Sequence, residues 1–393
     1  MLLDDCVSYG SRCLPDAPSD FHRGWAYWVL GTALGSYVKM NFATPVYPCI
    51  NPLFIGRSGS WKSQSLNLAK DIIRRVMPDL ELGETFTESG MTEELNNRRA
   101  KFDIPEGYLI VDEFGHLIET MGADWNKGAS DYVIKLLDGE CKGRLIKTEK
   151  SQLLTFSVRV SMIAATTPSR ASTVLEKRDV LDGLVPRFWP IVYLGKLTDS
   201  IPPGITSSEE KMRDAIVDDL KKIRSTVVSC PVHFTYSPSS HCLWLETTKK
   251  LRRSVKKLIT HDANVNQAKV HFHRISMLEE VSSGNYLAQS PVVVSDLSAE
   301  TARAQVMKYA SNAGLLYRRM GSNKDMQEML DAIEQTMPTG VSIRILRRVL
   351  GMDGKRFEHA RKGLLYCERI VEEKKVYKTK PFTMLKLAKI VER

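Results

Sequence analysis

The chain has 393 residues, of which 43% are hydrophobic and 26% charged, and a net charge of +10. This length suits two or three domains and the composition is that of a globular protein, which excludes disordered and fibrous classes. No run reaches the roughly 18 apolar residues of a membrane helix, and the seven scattered cysteines include no C-x-x-C pair that would indicate a zinc ribbon or disulfide framework.

Residues 1–45 read as a helical accessory region, with Trp25, Trp28, Val29, Ala33 and Leu34 recurring at three to four. Asp4 and Asp5 stand where a secretory leader would carry bases, so the cytoplasm is the expected location. From Val46 an apolar run leads through Leu53-Phe54-Ile55 into Gly56-Arg57-Ser58-Gly59-Ser60-Trp61-Lys62-Ser63. A segment with helical spacing follows, through Leu66, Ala69, Ile72, Ile73 and Val76.

Strand, glycine loop and helix in that order are the layout of a phosphate-binding P-loop. Its backbone N–H groups and helix N-terminus hold an anion. Lys62 would reach the terminal phosphates of ATP and the Ser63 hydroxyl would serve Mg²⁺. Gly56, Ser58, Gly59, Ser60 and Trp61 would form the cradle, although Trp61 stands where the usual motif has a glycine. A strand–turn–helix merely rich in Gly and Ser reads the same way in isolation.

A short helix is expected over 91–101. Tyr108-Leu109-Ile110-Val111 then runs into Asp112-Glu113, as a buried parallel strand with carboxylates at its end would. Asp112 is placed to hold the Mg²⁺ water shell and Glu113 to polarise an attacking water. The plain alternative for such an acid pair is a helix N-cap. A helix over 131–137 and a hairpin from 143–148 and 152–158 come next. Val160–Ala165 is a further strand ending on Thr166-Thr167-Pro168, where a hydroxyl could bond the water or simply cap a turn. Arg187, just before the last strand at Ile191, could leave its own site and reach a neighbour's phosphate.

The alternation over 46–195 predicts a parallel α/β sheet, within an ATPase core placed at 46–208. Residues 196–208, rich in Pro, Ser and Thr, read as a linker, and 209–320 as a mainly helical lid. His271 and His273 are two apart, which on a helix points them differently and argues against a metal site.

Residues 321–393 have a distinct character. From 341 onward there are 15 Lys and Arg against 6 Asp and Glu, so this tail carries +9 of the chain's +10. Three short helices and a hairpin fit a winged helix, with Ser342 capping the second helix and Gly351 ending it. Arg356, Arg361 and Lys362 on the third helix, with Lys374 and Lys375 on the wing, would face DNA. A packing module with a solvated basic surface is the plain alternative.

Taken together, Tyr47-Pro48, Ile55–Ser63, Leu109–Phe114, Val160–Pro168 and Gly183–Phe188 give the chain a further likeness. It resembles the AAA+-type helicase ATPases of phages and mobile genetic elements, and distantly the superfamily 3 and minichromosome-maintenance helicases. The resemblance is good over 46–195 and loose over 20–320. It implies an AAA+/RecA-like sheet, a hexamer with ATP between protomers, and DNA as partner. In that family a larger residue often replaces the glycine before the lysine, which suits Trp61. The resemblance also implies an arginine finger at Arg187, a sensor at Thr166 or Thr167, and a second sensor arginine at Arg274. It implies a DNA-contacting hairpin carrying Lys147 and Lys150. The expected function is an ATP-driven DNA motor, a replicative-type helicase or replication initiator. The alternative is a nucleotide-switched loader or regulator that assembles on DNA without unwinding it.

Overall fold

The computed structural model describes residues 1–393 except 43, 85, 122–128, 148–149, 169, 172–182, 194, 196–203, 256–261, 288–290, 321–323, 337–340, 367–369, 378–379 and 388–393. Some further side chains within 144–152, 254–264, 315–334 and 355–387 are likewise not described. Contacts divide the chain into two compact units, Met1–Gly314 and Leu315–Arg393.

The first unit begins with α1 (Leu2–Cys13) and α2 (Ser19–Leu34), followed by the short strand β1 (Val38–Met40). Leu2, Leu3, Cys6, Tyr9 and Cys13 make α1 amphipathic and bury one stripe. Helix α2 is apolar nearly all round because it is enclosed nearly all round: Trp25 and Trp28 are fully buried. Next come β2 (Pro52–Gly56), α3 (Lys62–Val76), α4 (Glu88–Arg98, capped by the Thr87 hydroxyl), β3 (Glu106–Val111), α5 (Phe114–Met121) and α6 (Ala129–Asp138). The hairpin β4 (Glu140–Lys147) and β5 (Lys150–Ser157) leads into β6 (Arg159–Thr166) and β7 (Trp189–Tyr193).

Four strands form a parallel sheet in the order β3-β6-β2-β7. Their near-continuous burial explains why β2 and β3 read as unbroken apolar runs in the sequence. Helices α2 and α3 pack on β2 and β6. Phe21 of α2 stacks on Phe54 with ring centroids 4.6 Å apart, and Trp28 meets Tyr108 edge-on at 5.9 Å. Helix α2 of the N-terminal helical region thus packs directly on the sheet. Gly24 lets α2 lie close to β7, since a Cβ there would lie 2.4 Å from the Ile191 side chain.

The rest of this unit is α7 (Ser207–Ser229), β8 (Val232–Tyr236), α8 (Pro238–Val255), α9 (Asp262–Ser282), β9 (Val292–Val294) and α10 (Asp296–Met320) as far as Gly314. Thr206 and Glu209 form a capping box that starts α7. The region expected to be a helical lid is mainly helical, but β8 and β9 join β1 in a second parallel sheet, order β1-β8-β9. Glu106, at the start of β3, ties the pieces together: it accepts from Arg224 of α7 at 2.7 Å and from the Ser36 N–H at 2.9 Å. The stretch 196–208, expected to be a linker, lies largely outside the described residues.

The second unit contains α11 (Lys324–Glu334), β10 (Val341–Ser342), α12 (Ile343–Leu350), α13 (Gly354–Tyr366), β11 (Ile370–Tyr377) and β12 (Lys380–Leu387). The strands pair antiparallel in the order β10-β12-β11 around a small core that includes Met329, Leu346, Phe357, Leu364 and Leu385. The Ser342 hydroxyl accepts from the Ile345 N–H at 3.3 Å to start α12. Gly351, at φ 60°, takes the left-handed conformation that ends it.

Candidate functional site

The parallel register lines up three strand ends on one edge of the larger sheet. Ile55 stands opposite Thr166, and Ala164 is level with both Leu53 and Val111. The chain therefore emerges at Gly56, Thr166 and Asp112 along the same edge. Strand β6 separates β2 from β3, so Gly56 and Asp112 leave strands about 10 Å apart. Helix α3 spans that gap: Ser63, in its first turn, donates from Oγ to Asp112 Oδ1 at 2.7 Å.

The loop between β2 and α3 is tightly folded. A Cβ on Gly56 would fall 2.4 Å from Ser60 Oγ, and this room lets Ser60 tuck beneath the loop at 1% exposure. Gly59 takes φ 82° and Trp61 φ 63°. Among the described residues Trp61 is the one non-glycine in that left-handed region, a placement that costs a side-chain-bearing residue about 1–2 kcal/mol. Its indole packs against the main core, but its Nε1 is buried without a described partner.

Lys62 is the first residue of α3 and is 8% exposed. Its Nζ donates to the Arg57 carbonyl at 2.8 Å and to Ser60 Oγ at 3.3 Å, so the ammonium lies across the loop. Burial pulls the amine below its ordinary range, and the Asp112 carboxylate partly offsets this. Helix α3 has no acidic residue of its own in its first turn, and the positive end of its dipole faces the single carboxylate of Asp112. A lysine, a helix N-terminus and a tight glycine loop together can hold a multivalent anion.

Glu113 is exposed beside Asp112, and its carbonyl accepts from the N–H groups of His116 and Leu117 as α5 begins. Thr166 is buried at the end of β6, whereas the Thr167 hydroxyl accepts from the Arg170 N–H and so caps the next turn.

Arg187, expected to act on a neighbour's phosphate, and Arg274, expected at the nucleotide, both stand away from this loop. Arg187 precedes β7 at the opposite edge of the sheet, since Trp189 pairs with Pro52 and Tyr193 with Gly56. It makes a bidentate pair with Asp138 through Nε and NH2 and also donates to the Gly183 carbonyl. Arg274, assigned from the resemblance to the nucleotide, is not beside Gly56–Ser63. It lines a cleft at the same far edge, with Tyr47, Cys49, Asp138 and Arg159. The reason is topological: α9 packs against the turn Val185–Arg187 before β7, not against the glycine loop.

The hairpin forms as expected, with Lys147 opposite Lys150 at its last register position. The side chains of Lys147, Lys150, Lys362, Lys374 and Lys375 lie outside the described residues. Arg356 is exposed. Arg361 is committed within its own unit, to Glu358 and Glu372. Arg344, Arg347 and Arg348 on α12, not singled out from the sequence, are exposed. Their spacing of three and four residues, with only Leu346 buried on that helix, was the available signal.

Among the described residues there is no group of three or more His, Cys, Asp or Glu placed to hold a metal, and no helix is long and apolar enough to cross a membrane. No protein-family model and no curated protein matches this chain.

Proposed function

We propose that Gly56–Ser63, with Asp112 and Glu113, is a Mg²⁺-ATP site of the P-loop type, and that the chain is an oligomeric ATP-driven DNA motor of helicase or replication-initiator type. The hydrogen bond from Ser63 Oγ to Asp112 Oδ1 carries this reading. It joins a hydroxyl and a carboxylate, 49 residues apart in sequence, at the mouth of an anion-binding loop. Such hard oxygen donors suit Mg²⁺, which also takes its ligands from phosphate oxygens and water. When bound, Mg²⁺ neutralises charge on the β- and γ-phosphates.

The remaining chemistry falls to side chains of this protein. Lys62 swings from the Arg57 carbonyl to the terminal phosphates, and the α3 N-terminus faces the inner ones. Glu113, exposed next to Asp112, orients and accepts a proton from the attacking water. Thr166 offers a hydroxyl from the intervening strand. Arg187, level with Asn51, whose amide bonds its carbonyl, and so about 17 Å from Gly56 by strand length, does not serve this loop in its own chain and acts on a neighbour's. The antiparallel sheet and three helices of Leu315–Arg393 form a winged-helix module that binds DNA through exposed bases.

Lys62→Ala should abolish ATP turnover while the protein remains folded by circular dichroism; undiminished turnover would remove the site assignment. Turnover with and without single- and double-stranded DNA, together with mass determination, tests the motor and the oligomer. The second reading, a loader or regulator that assembles without unwinding, draws support from the Asp138–Arg187 pair, which holds the arginine within its own chain. DNA-stimulated turnover without strand displacement would favour it.

A further inference from the structure

The cleft that holds Arg274 is unlike the loop site in place and in chemistry. It has a volume of about 390 Å³, within the range of small-molecule pockets. It opens between the segment before β2, the end of α6, the start of β6 and α9. Since β6 is eight residues long, the cleft lies about 23 Å from Thr166 and the edge that carries Gly56–Ser63.

Two guanidinium groups face this cleft. Arg159 lies face-on over the Tyr47 ring, 3.4 Å from its centroid, and its NH1 donates to the Val158 carbonyl at 2.6 Å and the Gly139 carbonyl at 3.3 Å. Arg274 has no hydrogen bond or ion pair to a described residue. The Nε of each is enclosed and without a described partner. Burial pulls the Arg274 guanidinium below its ordinary range; the nearby Asp138 carboxylate opposes this and the Arg159 cation adds to it, and the group stays charged.

Asp138 is the one carboxylate among the lining residues, and Arg187 occupies both of its oxygens. A half-buried cation pair whose one lining carboxylate is already engaged by a third arginine is costly, and guanidinium groups match planar or tetrahedral oxyanions closely. Much of the remaining wall is apolar, with Val46, Leu137, Val160 and Val270.

We infer that this cleft is a second ligand site, which binds a small organic molecule bearing one phosphate or carboxylate on an apolar body. The oxyanion sits between Arg159 and Arg274, and the apolar part lies against Val46 and Val270. The inference is independent of the nucleotide reading.

Calorimetric titration of the full chain with phenyl phosphate, benzoate and neutral benzyl alcohol tests it. Wild-type protein and the Lys62→Ala variant should each show one saturable site for at least one of the two anions and none for benzyl alcohol; whichever anion binds identifies the oxyanion. Arg274→Gln and Arg159→Gln should each weaken that site by about tenfold or more, as loss of a charged hydrogen bond does. Should either variant fail to fold, wild-type protein is treated with phenylglyoxal and the modified arginines mapped by mass spectrometry. The bound anion should then slow modification of Arg274 and Arg159 but not of exposed Arg356. No saturable binding of either anion, binding lost in Lys62→Ala but kept in Arg274→Gln, or no protection of Arg274 would overturn the inference.

Discussion

Trp61 shows how one residue can carry two opposed effects. Its left-handed backbone is one that glycine takes freely, yet its indole closes part of the core beside the loop. The sequence marks it as a departure from a motif; only the structure shows that the departure falls on a positive φ. Arg187 is a second case. Its bidentate pair with Asp138 is half-exposed, so it adds little stability, within about 1 kcal/mol. Arg187→Ala should therefore leave thermal unfolding nearly unchanged. If the side chain acts on a neighbour's nucleotide, the variant should bind ATP normally but not hydrolyse it. Mixing it with Lys62→Ala subunits should then restore part of the activity. A variant with full turnover would leave Arg187 as a surface ion pair. Arg274 marks the limit of carrying a role over by resemblance, because a lone arginine on a helix gives no local sign of which sheet edge that helix will lie beside.

Among the elements, the β2–loop–α3 unit was legible because its signals are local: an apolar run, glycines at two turns, and a 3.6-residue period. Helix α5 is harder to see in the sequence, although Phe114, Leu117, Ile118 and Met121 have helical spacing, because it is only eight residues long and follows the acid pair without a break. The sheet β1-β8-β9 was invisible for a firmer reason. Its outer strands are three residues long, and Val38 pairs with Val232 across most of the first unit. Helix α2 is held to the main sheet through Gly24, and this makes a specific forecast. Gly24→Ala must displace Ile191 and should cost about 1–3 kcal/mol as overpacking, measured by denaturant unfolding. A neutral result would mean that the helix can shift outward freely.

For the whole molecule, buried histidines set a pH dependence. His271 is enclosed between Trp189 and Tyr309 with neither ring nitrogen bonded to a described residue, and burial holds it well below 6.5. Burial likewise lowers His273 to about 3. The unfolded chain takes up these protons below pH 6.5 and the native one does not. Stability is therefore lost as pH falls from 6.5 toward 3, by about 1.4 kcal/mol per pH unit for each histidine. Glu279, raised by burial beside Tyr27, acts in the opposite sense above pH 4.5. His271→Phe gives up no described hydrogen bond and should flatten the curve between pH 4.5 and 6 by about one histidine's share. An unchanged slope would contradict the assignment.

If the second unit binds DNA as proposed, affinity should respond to Arg344 and Arg348 instead of Arg361, which is neutralised internally. Replacing both with Gln should reduce the salt slope by about one unit for each phosphate that is no longer neutralised. Arg361→Gln should leave the slope alone.

The sequence by itself determined the order of strand, loop and helix at Gly56–Ser63, the acid pair ending the next core strand, and the basic tail with its capped helices. Each of these is written in neighbouring residues, where backbone preference and apolar period act. Tertiary structure alone decided that Ser63 meets Asp112, that Arg187 and Arg274 stand at the far edge of the sheet, and that Arg159 and Arg274 share a cleft. Those outcomes depend on strand order and parallel register, which are set by how distant apolar faces bury one another and leave no mark within any single stretch of chain.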